Sequence, residues 1–155
     1  MLETFFNAME QLHFQYTEQF LAALPPMAVT VFVHGQGMGL AGRFFRRLGP
    51  RVSGSLRTPH RIAVTTGVVA IMLMAHFIEA SLWAVFYLLT DMMANFREAM
   101  FFSVNAYTTL GASNLTLPGR WKGLDGLESM TAMLMFGWST AVLAVVVQKV
   151  HSIDI

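Results

Sequence analysis

Three stretches of this chain, Met27 to Phe45, Ile62 to Leu89 and Met130 to Val150, are apolar and of the length, roughly 20 residues, that crosses the hydrocarbon of a bilayer as a helix. No water is present at that depth to satisfy backbone amides, so continuous apolar runs of this kind are read as helices. Composition agrees with this reading. Of 155 residues, 55% are hydrophobic and 12% charged, and the mean hydropathy is +0.53, outside the range of ordinary soluble domains. The expected fold class is an all-α membrane protein.

Charge placement predicts the topology. Six of the ten basic residues, Arg43, Arg46, Arg47, Arg51, Arg57 and Arg61, fall at the end of the first apolar stretch or between it and the second. By the positive-inside rule this connector, punctuated by Gly49-Pro50 and Thr58-Pro59, is cytoplasmic. The N-terminus is then outside and the third span returns inward, with Lys149 and His151 on the cytoplasmic side of a cell inner (plasma) membrane. Arg43, Arg46, Arg47 and Arg51 lack the sustained three-residue spacing of a voltage sensor. They read as a topology anchor or a contact for anionic lipid.

Residues 1–26 form a distinct N-terminal segment. Leu2, Phe5, Phe6, Met9, Leu12, Tyr16, Phe20 and Leu24 recur at helical spacing, with Glu3, Glu10, Gln11, Glu18 and Gln19 elsewhere on the wheel. This predicts an amphipathic helix lying at the membrane interface, without the basic region of a signal peptide. Pro25-Pro26 predicts a break or kink before the first span, because proline lacks a donor and clashes with the preceding turn. Residues 27–61 hold that extra span and the basic connector. Gly35, Gly37, Gly39 and Gly42 equip the span for close helix approach, and it carries His34.

Residues 62–150 form the third segment, with an outer helix at 62–90 and an inner helix at 128–150. Between them, Asp91 to Glu128 is too apolar for a solvated loop, with Phe96, Met100, Phe101, Phe102, Val104, Tyr107 and Leu110. Irregular backbone at membrane depth is tolerated where protein buries it or where it lines a water-filled path. A helix is predicted over 95–108, with Asn95 as its cap and Glu98 in capping-box position. Unwound backbone follows over 109–114, which is the form of a re-entrant loop.

Here a resemblance becomes specific. Thr108-Thr109-Leu110-Gly111-Ala112-Ser113-Asn114 resembles the Thr-Thr-Val-Gly-Tyr-Gly-Asp filter of potassium channels. Glu98-Ala-Met-Phe-Phe-Ser103 looks like that family's pore-helix approach, and Phe136-Gly-Trp-Ser-Thr-Ala141 is similar to the inner-helix motif of small bacterial two-pore-domain-type ion channel proteins. Those relatives also carry an added N-terminal span and a His-x-x-Glu-x-x-x-Trp-Ala run, matched here by His76, Glu79, Trp83 and Ala84.

The resemblance implies a tetrameric pore-loop architecture and a passive channel for a monovalent cation, K+ or Na+. The ion would be held by the backbone oxygens of Thr109, Leu110, Gly111 and Ala112 and the hydroxyl of Thr109, in place of its hydration shell. One chain supplies a quarter of each ring, so a homotetramer is implied. Ala112 stands where the family has Tyr, Ser113 where it has the second Gly, and Asn114 where it has Asp. These departures remove the aromatic packing of the filter, the residue suited to positive φ and a ring of negative charge. They imply a pore that is weakly or differently selective; the alternative is a non-conducting accessory subunit of a heteromeric membrane complex.

Other residues admit two readings each. His76 and Glu79 share a face of the second span, and ionisable residues inside a span suggest function by default. They read as a proton-sensing or cation-binding pair, joined by His34, or as a hydrogen bond locking helices together. Gly137 reads as a gating hinge or a close-packing point, and Ser139 and Thr140 as cavity-lining or back-bonded hydroxyls. Methionine-rich runs such as Met130, Met133 and Met135 suit copper(I) by softness, yet Met is equally an adaptable packing residue. With no Cys, no phosphate-binding loop, no His-Glu-x-x-His helix and no nucleophile elbow, no enzymatic activity is expected. No cofactor or metal beyond the permeant cation is expected, and no nucleic-acid partner.

Overall fold

The computed structural model describes the backbone of residues 1–53, 58–111 and 114–151, and their side chains apart from those of 3–5, 7, 8, 10–15, 50–53, 58 and 151. Ala112 and Ser113 of the predicted filter, and the Arg51 side chain, therefore lie outside the described residues. The described residues are helical, without strands: α1 is Leu2–Ser53, α2 Thr58–Leu89, α3 Phe96–Tyr107 and α4 Leu124–His151, with a 3-10 turn at Gly119–Trp121 before α4. Three helical stretches are long and apolar enough to cross a membrane, Tyr16–Gly49, Pro59–Leu89 and Gly119–Val150. Phe32, Leu73, Phe77, Met133 and Leu134 are each more than half exposed. In water that exposure would be costly, whereas against lipid it is the expected outward face.

α1 differs from the sequence-based expectation. It runs through Pro25-Pro26 and Gly49-Pro50 as one helix of 52 residues. The two prolines at 25 and 26 remove the bonds to the carbonyls of Leu21 and Ala22, but their fixed φ is itself helical. Packing supports the helix on either side of them, since Ala23 is fully buried in a core against which Met27 also packs. Pro59 falls in the first turn of α2, where its missing N–H has no intrahelical role. Thr58-Pro59 is thus a helix start as well as a breaker.

Two compact units make up the chain. The first comprises Met1–Val29 and Ala80–Ala132, the second Thr30–Glu79 and Met133–Ile155. In the first, Trp83 and Tyr87 of α2, Phe102 and Tyr107 of α3, and Leu124 and Ala132 of α4 surround Ala23 and Ala99. In the second, Met38 and Ala41 of α1 pack with Val64, Val68 and Met72 of α2 and Val146 and Val150 of α4.

α3 begins as its sequence predicts. Asn95 is extended, and its side chain accepts a hydrogen bond of 2.9 Å from the Glu98 amide. Glu98 also places negative charge in the first turn, where the helix dipole favours it. α4 starts at Leu124, a turn earlier than the expected 128, which brings Glu128 inside the helix.

Helix approach in the second unit depends on Gly37. A Cβ placed there would lie 2.8 Å from the Ala75 Cβ, closer than two carbons pack. Gly37→Val should therefore force α1 from α2 and destabilise the protein by about 1–3 kcal/mol. Thermal unfolding in detergent reads this directly, and an unchanged midpoint would mean the two helices do not meet there.

Candidate functional site

Two groups of polar residues stand out, one in each unit. In the first unit, the end of α3 leads into the predicted filter. Thr108 caps the helix, and Thr109 turns to φ 59°, the left-handed region. The Thr109 amide donates to the Ala106 carbonyl at 2.9 Å and the Leu110 amide to the Asn105 carbonyl at 2.9 Å, which is the Schellman pattern. The Gly111 amide also donates to Asn105, at 3.3 Å, and Gly111 itself has φ 62°.

This turn has a directional consequence. In a trans peptide the carbonyl points opposite to the amide hydrogen, and no peptide bond among the described residues is cis. With the Leu110 and Gly111 amides turned back to α3, the carbonyls of Thr109 and Leu110 lead away from its C-terminus. Thr108, Thr109, Leu110, Gly111 and Asn114 are all exposed, Leu110 by 69%. A β-branched residue in the left-handed region costs on the order of 1–3 kcal/mol, a strain that clusters at functional sites. Between the loop and α3 lies a cavity of about 230 Å³, lined by Phe102, Asn105, Ala106, Gly111, Leu115 and Asp125 among others.

Behind the loop, a buried network holds α3. Glu128 of α4 accepts hydrogen bonds from Tyr87 Oη of α2, at 2.6 Å, and from Ser103 Oγ of α3. Ser103 Oγ also lies 2.7 Å from the Ala80 carbonyl. Ser129 donates to the Ala106 carbonyl at 2.7 Å, the same oxygen that closes the turn at Thr109. Glu128, Ser103 and Tyr87 are each 2% exposed or less. The sequence reading missed Glu128; the available signal was an acidic residue inside the first turns of an apolar helix.

The second unit brings His76 and Glu79 of α2 together with His34 of α1. Glu79 Oε1 lies 2.9 Å from His34 Nδ1 and Glu79 Oε2 lies 3.6 Å from His76 Nδ1. Ser139 of α4 joins them, with Oγ 3.0 Å from His76 Nε2 and 3.4 Å from His34 Nε2. All four are buried, and rings close the cluster: Trp138 lies 5.2 Å from His34 and Phe136 4.4 Å from His76, centroid to centroid. The contact at Gly37 and Ala75, one turn along α1 from His34 and next to His76, is what brings the two helices within hydrogen-bond reach.

The residues expected near a cavity or gate therefore separate. Ser139 faces the histidines, whereas Thr140 is exposed and bonds back to the Phe136 carbonyl at 2.8 Å. Gly137 is exposed, with nothing within 4 Å of where a Cβ would sit. Comparison with protein-family models, with curated proteins and with solved structures returned no match.

The Glu128 network supplies a test. Glu128→Ala leaves the buried Tyr87 hydroxyl without its acceptor and Ser103 with the Ala80 carbonyl alone, and should cost about 2–4 kcal/mol, within the range for broken buried networks. Glu128→Gln keeps one acceptor oxygen and should recover part of that loss. Denaturant or thermal unfolding of both variants decides it; equal stability of Ala and wild type would remove Glu128 from this role.

Proposed function

We propose that the chain is one subunit of a homotetrameric pore-loop cation channel, passive and weakly or differently selective among K+ and Na+. The observation that carries this reading is the turn at Thr109. The carbonyls of Thr109 and Leu110 lead outward from the C-terminal, partially negative end of α3, where a cation is favoured. Four such ends around an axis would stand in for a cation's water.

Further features support it. α3 has 12 residues, about 18 Å of helix, which is too short to cross a bilayer and suited to entering halfway. It lies in sequence between two spanning helices and packs its buried face on both, through Tyr87 and Glu128. The exposed strip at Thr108 to Gly111 is apolar and hydroxyl-bearing, as a surface awaiting symmetry mates would be. On this reading the N-terminus is outside, the C-terminus is cytoplasmic, and the exposed Arg43, Arg46 and Arg47 meet anionic lipid.

Selectivity follows from the departures in the motif. Ala112 stands where the family has Tyr, which removes the aromatic packing that the resemblance implies for the filter. Rubidium or potassium flux into liposomes holding the purified protein, together with native mass spectrometry, tests the proposal. Flux from a tetramer is expected; a monomer without flux overturns it, and a heteromeric assembly without flux favours the accessory-subunit alternative. Ala112→Tyr with Ser113→Gly should raise the ratio of potassium to sodium flux severalfold, and an unchanged ratio would count against the filter assignment.

A further inference from the structure

The buried cluster of the second unit gathers three side chains that can each offer a ligand atom to a metal, His34, His76 and Glu79. Four contacts hold it: His34 Nδ1 and His76 Nδ1 against the two Glu79 oxygens at 2.9 and 3.6 Å, and His34 Nε2 and His76 Nε2 against Ser139 Oγ at 3.4 and 3.0 Å. The ligand atoms of His34, His76 and Glu79 all lie within 4.8 Å of one another, and the carboxylate draws a cation to the Nδ1 side.

Ser139 divides the roles in the same sense. Its Oγ lies 3.9 Å from Met38 Sδ, an acceptor toward which its single hydrogen can turn. Its two lone pairs then receive Nε2–H from both rings. In that arrangement each ring presents Nδ1 on the Glu79 side, where it can serve as a metal ligand.

We propose that His34 Nδ1, His76 Nδ1 and the Glu79 carboxylate form a binding site for a transition-metal dication of the zinc class. Two ligand atoms on a tetrahedral zinc, at the usual metal–nitrogen and metal–oxygen lengths, sit about 3.3 Å apart. The observed separations of 2.9 and 3.6 Å from the carboxylate bracket that value, and all three ligand atoms lie within 4.8 Å of one another. Imidazole with carboxylate is a donor set that zinc and its neighbours in the first transition series accept, and two histidines with one acid leave coordination room for water. Ser139 is the outer partner, fixing the tautomer and orientation of both rings. The His76 side chain, a tenth exposed, forms the open edge of the cluster. The site is independent of the channel reading, since no filter residue takes part in it.

Cobalt(II) tests the proposal, because its visible d–d bands report coordination without any flux measurement. Purified wild-type protein in detergent should bind one Co2+ per chain with an absorption spectrum of four- or five-coordinate character, displaced by Zn2+. His34→Ala and Glu79→Gln should each abolish these bands, whereas Ser139→Ala should retain them with affinity weakened about 10–100-fold. Circular dichroism confirms that each variant is folded. X-ray absorption of zinc-loaded wild type, which depends on no variant, should show two imidazoles and a carboxylate. Absence of Co2+ binding to wild type, bands that survive in both ligand variants, or a zinc shell without imidazole would overturn the site. A cluster that takes up only a proton, seen as pH-dependent histidine signals without metal binding, would also overturn it.

Discussion

Hydrocarbon offers no partner to a polar group, and the protein's organisation follows from that constraint. The three long helices bond their backbone internally and turn large apolar residues outward. Side chains that cannot face lipid collect instead into buried networks. Glu128 with Tyr87 and Ser103 gathers in one unit, and Glu79 with His34, His76 and Ser139 in the other. Each network draws on three helices. Desolvating a carboxylate is expensive unless donors surround it, so these networks specify which helix faces meet.

The connection between the networks and the proposed function runs through α3. Its N-terminus is set locally by Asn95, and Ser103 ties it to α2 through the Ala80 carbonyl and to α4 through Glu128. Ser129 then fastens the Ala106 carbonyl beside the strained Thr109. A loop that keeps a β-branched residue in the left-handed region must be overdetermined by its surroundings, and these hydrogen bonds supply that support. The proposed role of the loop depends on the same support, because an ion-coordinating carbonyl acts only from a fixed position.

Much of the helix content was legible from local signals. The apolar runs marked the spans, and the Asn95 and Glu98 pairing marked the start of α3 within a residue. Pro25-Pro26 misled because proline's local cost was weighed without the packing around it. Ala23 and Met27 hold α1 against the core on both sides of the pair, which a one-dimensional reading does not see. Glu128 was passed over for a related reason: its partners Tyr87 and Ser103 are 41 and 25 residues distant, so no spacing in the chain links them.

The sequence by itself determined a helical chain with three stretches long and apolar enough to span a membrane, a short capped helix between the second and third, and His76 and Glu79 on one helical face. Those properties depend on composition, length and the helical period, all of which act between near neighbours. Tertiary structure alone decided that His34 approaches Glu79 at a glycine contact, that Ser139 turns toward the histidines rather than standing with Thr140, and that Glu128 holds α3. Each of those outcomes rests on which faces of distant helices meet, and burying a polar group with its partners is a property of that meeting rather than of any one segment.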